Sequence, residues 1–530
     1  MRSLQVFALL FTSIFLLHIP LLRLPYFWDE AGYFIPAARD LLLTGSLVPR
    51  STPSNAHPPL VMAYLALWWK FSGFTPAVTR TAMLLIAAFG LLGVFRLARL
   101  LADSEVAVAA TCCTALYPVF FAQSSLVHLD TAAATFAIWG LYAYLQNQRL
   151  ATAIWFSLAV LAKETALLAP LGLLLWEFVC PFLLELARWS RFCAPSTNRA
   201  QRIISLAFCF LPLGLWFAYH FFRTGYLFGN PEFVSYNLHA TLHPLRIIVA
   251  GVQRIWQVVG YMNLFLLTAT AALAMRLPPL STSSAERPRI DLGAQAAFAV
   301  VVLSYVAALS VVGGAVLARY MLPVVPLVII VCVSTIWRRV RAWKVVISVV
   351  GAGFVLALFV NPPWGFAPED NLAYRDYVLL HKSAAEFVGA HYANSRILTA
   401  WPASDELARP YLGYVRRSLR LVAIDDFSLP QVVHATEMES RFDTVLLFST
   451  KYEPPHRLLP DWPAWERIKT RYFGYHRDLP PEAAAQLLRG QIVFESRRGG
   501  QWIALIDLQH VESAANSTGE NLYPYSNTSW

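Results

Sequence analysis

The chain has 530 residues, of which 57% are hydrophobic and 14% charged, a composition that excludes a soluble globular protein. Its net charge of +10 is uneven: residues 1–361 carry 25 basic and 12 acidic side chains, residues 362–530 carry 17 and 20. Basic residues confined to loops between apolar runs indicate a multipass membrane topology and not a nucleic-acid surface.

In chain order, Met1-Arg2 and the apolar run 4–22 read as an uncleaved signal-anchor. About ten further apolar runs follow, near 77–98, 106–121, 126–145, 151–162, 165–180, 203–222, 251–275, 292–312, 320–337 and 345–361, giving about eleven spans. The fifth and sixth are separated only by Lys163-Glu164 and predict a tight hairpin. Residues 58–72 are too short to span comfortably and are expected to lie at the interface. The fold class is therefore an α-helical polytopic membrane protein over 1–361, followed by a small extramembrane α/β domain over 362–510.

Orientation follows from the positive charges. With the N-terminus inside, the inner loops collect Arg96 and Arg99, Arg149, then Arg188, Arg191, Arg199 and Arg202. Later inner loops add Arg276, Arg287 and Arg289, then Arg338, Arg339, Arg341 and Lys344. An odd number of spans sends residues 362–530 outside. The same topology puts Asp29, Glu30, His57, Asp130, Lys163, Glu164 and Arg319 on the outer face.

The outer loop 23–58 carries an amphipathic stretch, Ala31 to Leu43, and ends in Asn55-Ala56-His57-Pro58-Pro59, whose prolines fix the backbone around His57. A second outer loop, 223–250, is rich in Gly, Pro, Asn and His and is expected to cover a site. Beyond 361, residues 373–391 predict a helix, and 396–400, 444–448 and 491–494 predict strands. Arg497-Arg498-Gly499-Gly500 predicts a hairpin turn into 502–506. Residues 511–530 read as a disordered tail. The six cysteines lie in or near expected spans without zinc-ligand spacing, so neither a disulfide framework nor a structural metal is expected.

Asp29 and Glu30, in Tyr26-Phe27-Trp28-Asp29-Glu30-Ala31-Gly32-Tyr33, stand where the first apolar run ends. Ionisable groups at that depth are costly, which makes the pair a functional candidate, against the plainer reading of an acidic helix start. Asp130 in Leu129-Asp130-Thr131 is either a helix cap or a second carboxylate of the same site. One such carboxylate could take a proton from an acceptor hydroxyl while the other orients it or binds a cation. Lys163 and Arg319 are snorkelling anchors or, together, a phosphate site. His57 beside its prolines is either structural or part of the substrate site.

These motifs resemble the GT-C superfamily of membrane-embedded glycosyltransferases. The resemblance rests on the acidic pair after the first span, His57-Pro58-Pro59, Leu161-Ala162-Lys163-Glu164-Thr165 and Arg319-Tyr320-x-Leu322-Pro323-x-x-Pro326, and covers roughly residues 1–345. The nearest branch contains the dolichyl-phosphate-mannose protein mannosyltransferases and the bacterial aminoarabinose lipid A transferases. The resemblance implies inverting transfer of a sugar from a polyprenyl-phosphate donor to a protein, lipid or glycan hydroxyl at the outer face of a bacterial inner membrane. It implies Asp29 as base with Glu30 beside it and Asp130 as a second acid. Lys163, Arg319 and Tyr320 would hold the donor phosphate, and His57 and Glu164 would contact substrate. No cofactor is implied with certainty, and a divalent cation is left open. The rival class, a transporter or lipid flippase, would place ionisable groups at the midplane of several spans and show internal repeats, which the chain lacks.

Overall fold

The computed structural model describes residues 3–186, 199–282, 285–454 and 462–508. The tail 511–530 and the inner-loop residues Arg188 and Arg191 lie outside the described residues. Among the described residues, five helical stretches are long and apolar enough to cross a membrane: Ser3–Leu21, Pro76–Leu101, Arg199–Thr224, Pro244–Ala274 and Leu292–Val311. The other expected spans fall on shorter helices, among them Ser104–Leu116, Arg149–Ala162 and Trp343–Phe359.

Several expected spans are interrupted, each for a local reason. The run 106–121 breaks into Ser104–Leu116 and Pro118–Gln123, because Pro118 cannot continue the helical hydrogen bonding. The run 251–275 divides into Pro244–Val259 and Leu264–Ala274, with Met262 (φ 48°) and Asn263 (φ 65°) in left-handed conformation between them. In the hairpin near 163, Lys163 is extended (φ −156°, ψ 131°), and a 3₁₀ turn Glu164–Leu167 leads into Leu168–Leu186. The run 320–337 starts late, as the helix Val325–Arg339, because a 3₁₀ turn Ala318–Met321 precedes it. Non-helical backbone of this kind is tolerated at membrane depth only where protein buries it or it lines a cavity.

The core sits where Pro76–Leu101 packs between its neighbours. Thr75 caps this helix by accepting from Val78 N, and Pro76 opens it. Gly90 lets the helix Leu129–Leu145 approach closely, since a Cβ there would strike the Thr135 side chain. Leu4, Leu9, Leu16 and Leu17 of the first helix remain exposed, as a lipid-facing surface requires. Cys180 is disulfide-bonded, while Cys112, Cys113, Cys209 and Cys332 are free thiols.

Beyond the last apolar helix, Trp343–Phe359, the chain forms a five-stranded mixed sheet. Its order is Arg420–Ile424, Arg396–Ala400, Thr444–Phe448, Gln501–Asp507, Gln491–Arg498. The first three strands are parallel, and the last two form an antiparallel hairpin turned by Gly499 (φ 56°) and Gly500 (φ 82°). The central strand Thr444–Phe448 is buried along its length. The helix Ala373–His391 packs against the hairpin, and Gln501 Nε2 donates to Ala373 O (2.9 Å). The edge strand Arg420–Ile424, half-exposed and without a clean alternation, was not anticipated from sequence.

Candidate active site

The first loop leaves the helix Ser3–His18 through a short 3₁₀ turn and reverses at Trp28 (φ 45°), a conformation that costs a bulky residue about 1–3 kcal/mol. A π-helical turn, Glu30–Phe34, follows and continues as Ile35–Thr44. Such turns are frequent at functional sites. The two adjacent carboxylates here point to different partners.

Glu30 is fully buried. Its carboxylate accepts from Arg80 Nη1 (3.3 Å) and Nη2 (3.2 Å), Phe27 N (2.8 Å) and Val127 N (2.7 Å). Arg80, equally buried, also donates to Pro25 O (2.9 Å) and Ser125 O (3.1 Å). This ion pair ties the first loop to the Pro76–Leu101 helix and to the approach of Leu129–Leu145. It leaves Glu30 committed to the scaffold.

Asp29 faces the other way, to Arg319 Nη2 at 2.5 Å, and its side chain keeps 21% exposure. The Arg319 guanidinium is the centre of the site. Its Nε lies 3.4 Å from Asp130 Oδ2, its Nη1 lies 2.8 Å from Glu369 Oε1, and the His128 ring is within 3.2 Å. Lys163 Nζ donates to the other oxygen of Asp130 at 2.7 Å and sits 4.0 Å over the Tyr320 ring. Asp130, Lys163 and Arg319 are all buried. The structure thus brings Asp29, Asp130, Lys163, Arg319 and Tyr320 together and sets Glu30 apart.

His57 and Glu164 form a second pair, 2.9 Å apart and mostly buried. Burial alone would raise the Glu164 carboxyl, but His57, Lys163 and the local backbone together hold the group below its usual range. The pair connects to the centre through Phe34, whose ring lies 6.0 Å from His57 and 6.3 Å from His128. Within loop 223–250, the short helix Pro231–Asn237 sets Phe233 against His57 at 5.6 Å, and Asn230 N donates to Ser54 O (3.1 Å).

Several residues of the site were not picked out from sequence. Glu369 and Asp370 follow the last apolar helix as Asp29 and Glu30 follow the first, a repeated signal that could have revealed them. Burial and the carboxylates of Asp29, Asp370 and Asp130 raise Glu369 to about 8 despite Arg319. Burial raises Asp370 to about 7, against the hydrogen bond it accepts from the Tyr261 hydroxyl at 2.6 Å. Arg254 is fully buried and lies 5.4 Å from the Tyr320 ring. It donates to Leu317 O (2.7 Å) and Gln257 Oε1 (2.9 Å), a third cation beside Lys163 and Arg319. Inside an apolar run, such an arginine is itself a functional signal.

The C-terminal sheet unit packs against the acidic loop. Tyr414 Oη donates to Tyr26 O (3.0 Å) and Tyr26 N donates to Leu412 O (3.2 Å). Trp401 packs edge-on to Trp28 at 5.3 Å and lies so close to Gly32 that a Cβ there would strike its indole. Gln123 Nε2 donates to Glu369 O (3.0 Å), fixing the acidic turn Pro368–Asp370 to the bundle. Among the described residues, no group of three or more His, Cys, Asp or Glu side chains is arranged to hold a metal ion. The Arg319 guanidinium lies among the three central carboxylates.

The fold is similar to that of solved membrane proteins. Two solved structures of ArnT from Cupriavidus metallidurans show it, each 13% identical to this chain and covering 94% of it and 97% of their own length. The one bound to undecaprenyl phosphate has a TM-score of 0.53 and the apo form 0.55. Residues 56–221, which include His57, Asp130, Lys163 and Glu164, match the family described as dolichyl-phosphate-mannose-protein mannosyltransferase. No curated protein matches the chain in sequence.

Proposed function

We propose that the protein transfers a sugar from a polyprenyl-phosphate donor to a hydroxyl acceptor at the outer face of a bacterial inner membrane, with inversion. The observation that carries this reading is the convergence of Lys163, Arg254 and Arg319 around Tyr320, next to the partly exposed carboxylate of Asp29. Two arginines and a lysine at one buried spot suit a phosphate, the arginines by their planar forks and the lysine as a point charge. The ArnT structure with undecaprenyl phosphate supports the same donor class. In this reading about eleven spans separate a cytoplasmic N-terminus from an outer C-terminal unit over residues 362–510.

Asp29 removes the proton of the acceptor hydroxyl, and the resulting oxygen attacks the anomeric carbon from the side opposite the phosphate. The bond from that carbon to the phosphate oxygen breaks with its electron pair, and polyprenyl phosphate leaves. Lys163, Arg254 and Arg319 meet the charge that develops on the leaving oxygen, a kind of stabilisation that is usually the largest catalytic contribution. Phosphate and Asp29 are alternative partners for the same edge of Arg319, so donor binding would free the base. His57 and Glu164 lie at the side of the site where an acceptor would approach. Protein, lipid and glycan acceptors all fit this chemistry.

The test is transfer from a panel of polyprenyl-phosphate sugars in proteoliposomes, with the product's anomeric configuration read by NMR. Transfer with inversion supports the reading, and retention of configuration contradicts it. Because Arg319 already balances the carboxylates, transfer is expected to survive chelation. Loss of activity with EDTA would instead identify the divalent cation as a participant.

A further inference from the structure

A second set of cations gathers at the opposite end of the bundle. The helix Val325–Arg339 begins just after Arg319 and ends at Arg338 and Arg339, a separation of about 22 Å for its 15 residues. There, between the ends of this helix, Leu264–Ala274 and Leu292–Val311, lies a cavity of about 90 Å³. Its polar lining is Arg289, Arg338, Arg339, Gln295, Ser334 and Thr335. A cavity of this kind needs only about 10–15 Å³ to hold one water, so there is room for a tetrahedral oxyanion.

The arginines are held by backbone as much as by acid. Arg338 Nε donates to Arg287 O (2.9 Å), and Arg339 Nη1 donates to the carbonyls of Met275 (3.3 Å) and Leu277. Two acids lie nearby. Glu286, largely exposed, takes Arg338 Nη2 at 2.8 Å, and Asp291 caps Leu292–Val311 through Ala294 N (3.1 Å). Arg289 makes no hydrogen bond or ion pair among the described residues. The cavity therefore keeps an excess of positive charge. Beside it Leu273, Met275 and Leu277 are exposed, which places an aliphatic strip next to the basic pocket.

We propose that this cavity binds the phosphate-bearing headgroup of an anionic phospholipid, with an acyl chain along Leu273, Met275 and Leu277. Charge complementarity selects a phosphate, and the adjoining apolar strip selects a lipid over a free ion. Basic pockets between helices on the cytoplasmic side are where such headgroups are bound. The site lies away from Asp29 and does not depend on the transfer reaction.

The test measures thermal stability of the purified full-length protein in neutral detergent with added short-chain phosphatidylglycerol, short-chain phosphatidylcholine or inorganic phosphate. Phosphatidylglycerol is expected to raise the melting temperature saturably, with little effect from the other two. Arg289→Gln and Arg339→Gln should each weaken the apparent affinity about fivefold, and Arg339→Lys should restore part of it. Arg289 is exposed, so its replacement leaves the fold intact and keeps the comparison readable. A phosphatidylglycerol shift unchanged in both variants would overturn the site. An equal shift with inorganic phosphate would overturn the lipid as its occupant.

Discussion

Two acidic dipeptides frame the membrane region, Asp29-Glu30 after the first apolar helix and Glu369-Asp370 after the last. Each sends one carboxylate to Arg319 and the other to a separate buried partner. The difference lies in the partners. Glu30 receives two arginine nitrogens and two backbone N–H groups, a full set of donors for a buried charge. Asp370 receives one tyrosine hydroxyl, and burial holds it at about 7. The first pair therefore supplies a fixed ionic strut and a partly exposed carboxylate, the proposed base. The second supplies carboxyls that titrate near neutrality against the same arginine. Adjacent acids of like sequence thus acquire unlike roles from how many donors surround them.

The sharpest break of this comparison is Arg80→Ala. It would leave Glu30 buried with its backbone donors alone, a loss of about 3–5 kcal/mol, read as a large fall in melting temperature or absence of folded protein. A melting temperature near that of wild type would show that Glu30 is no strut. Arg319→Gln comes next, since it removes the cation both dipeptides share. Transfer should fall about 10²–10³-fold in protein that still elutes as a folded species.

The titrating pair gives a smaller, signed effect. Glu369 and Asp370 bind protons more tightly folded than unfolded, so between their ordinary values and about 8 and about 7 folding takes up protons. Their contribution to stability is therefore lost as pH rises through that window. Melting temperature should decline from about pH 5 to about pH 8, and Glu369→Gln should flatten that decline. An equally steep decline in Glu369→Gln would assign the titration elsewhere. The smallest effect is expected at His57→Ala, which breaks a mostly buried pair and should cost about 1–3 kcal/mol of stability.

Much of the centre was legible because charge is scarce in an apolar chain. Asp29, Asp130, Lys163 and Arg319 stand out, and a simple topology puts them at one face. What could not be read was direction. Neighbours such as Asp29 and Glu30 differ only in the backbone turn that Trp28 begins, and nothing in the dipeptide says which one meets Arg80. Glu369 was hidden by the change of composition after 361, which assigned it to an extramembrane unit although it reaches into the membrane-face cluster. Arg254 was absorbed into an apolar run whose break at Met262 and Asn263 depends on tertiary packing. In the C-terminal unit, the helix Ala373–His391 and the strands Arg396–Ala400 and Thr444–Phe448 follow clear periodic patterns, whereas the edge strand Arg420–Ile424 lacks one.

The most direct measurement is sugar transfer from polyprenyl-phosphate donors in reconstituted membranes, comparing wild type with Asp29→Asn. Wild type is expected to transfer, and a variant that folds normally to lose about 10²–10⁴-fold. Equal transfer by Asp29→Asn would remove Asp29 as the base. No transfer from any donor, with lipid or solute movement unaffected by Asp29→Asn, would contradict the glycosyltransferase reading and favour a transporter.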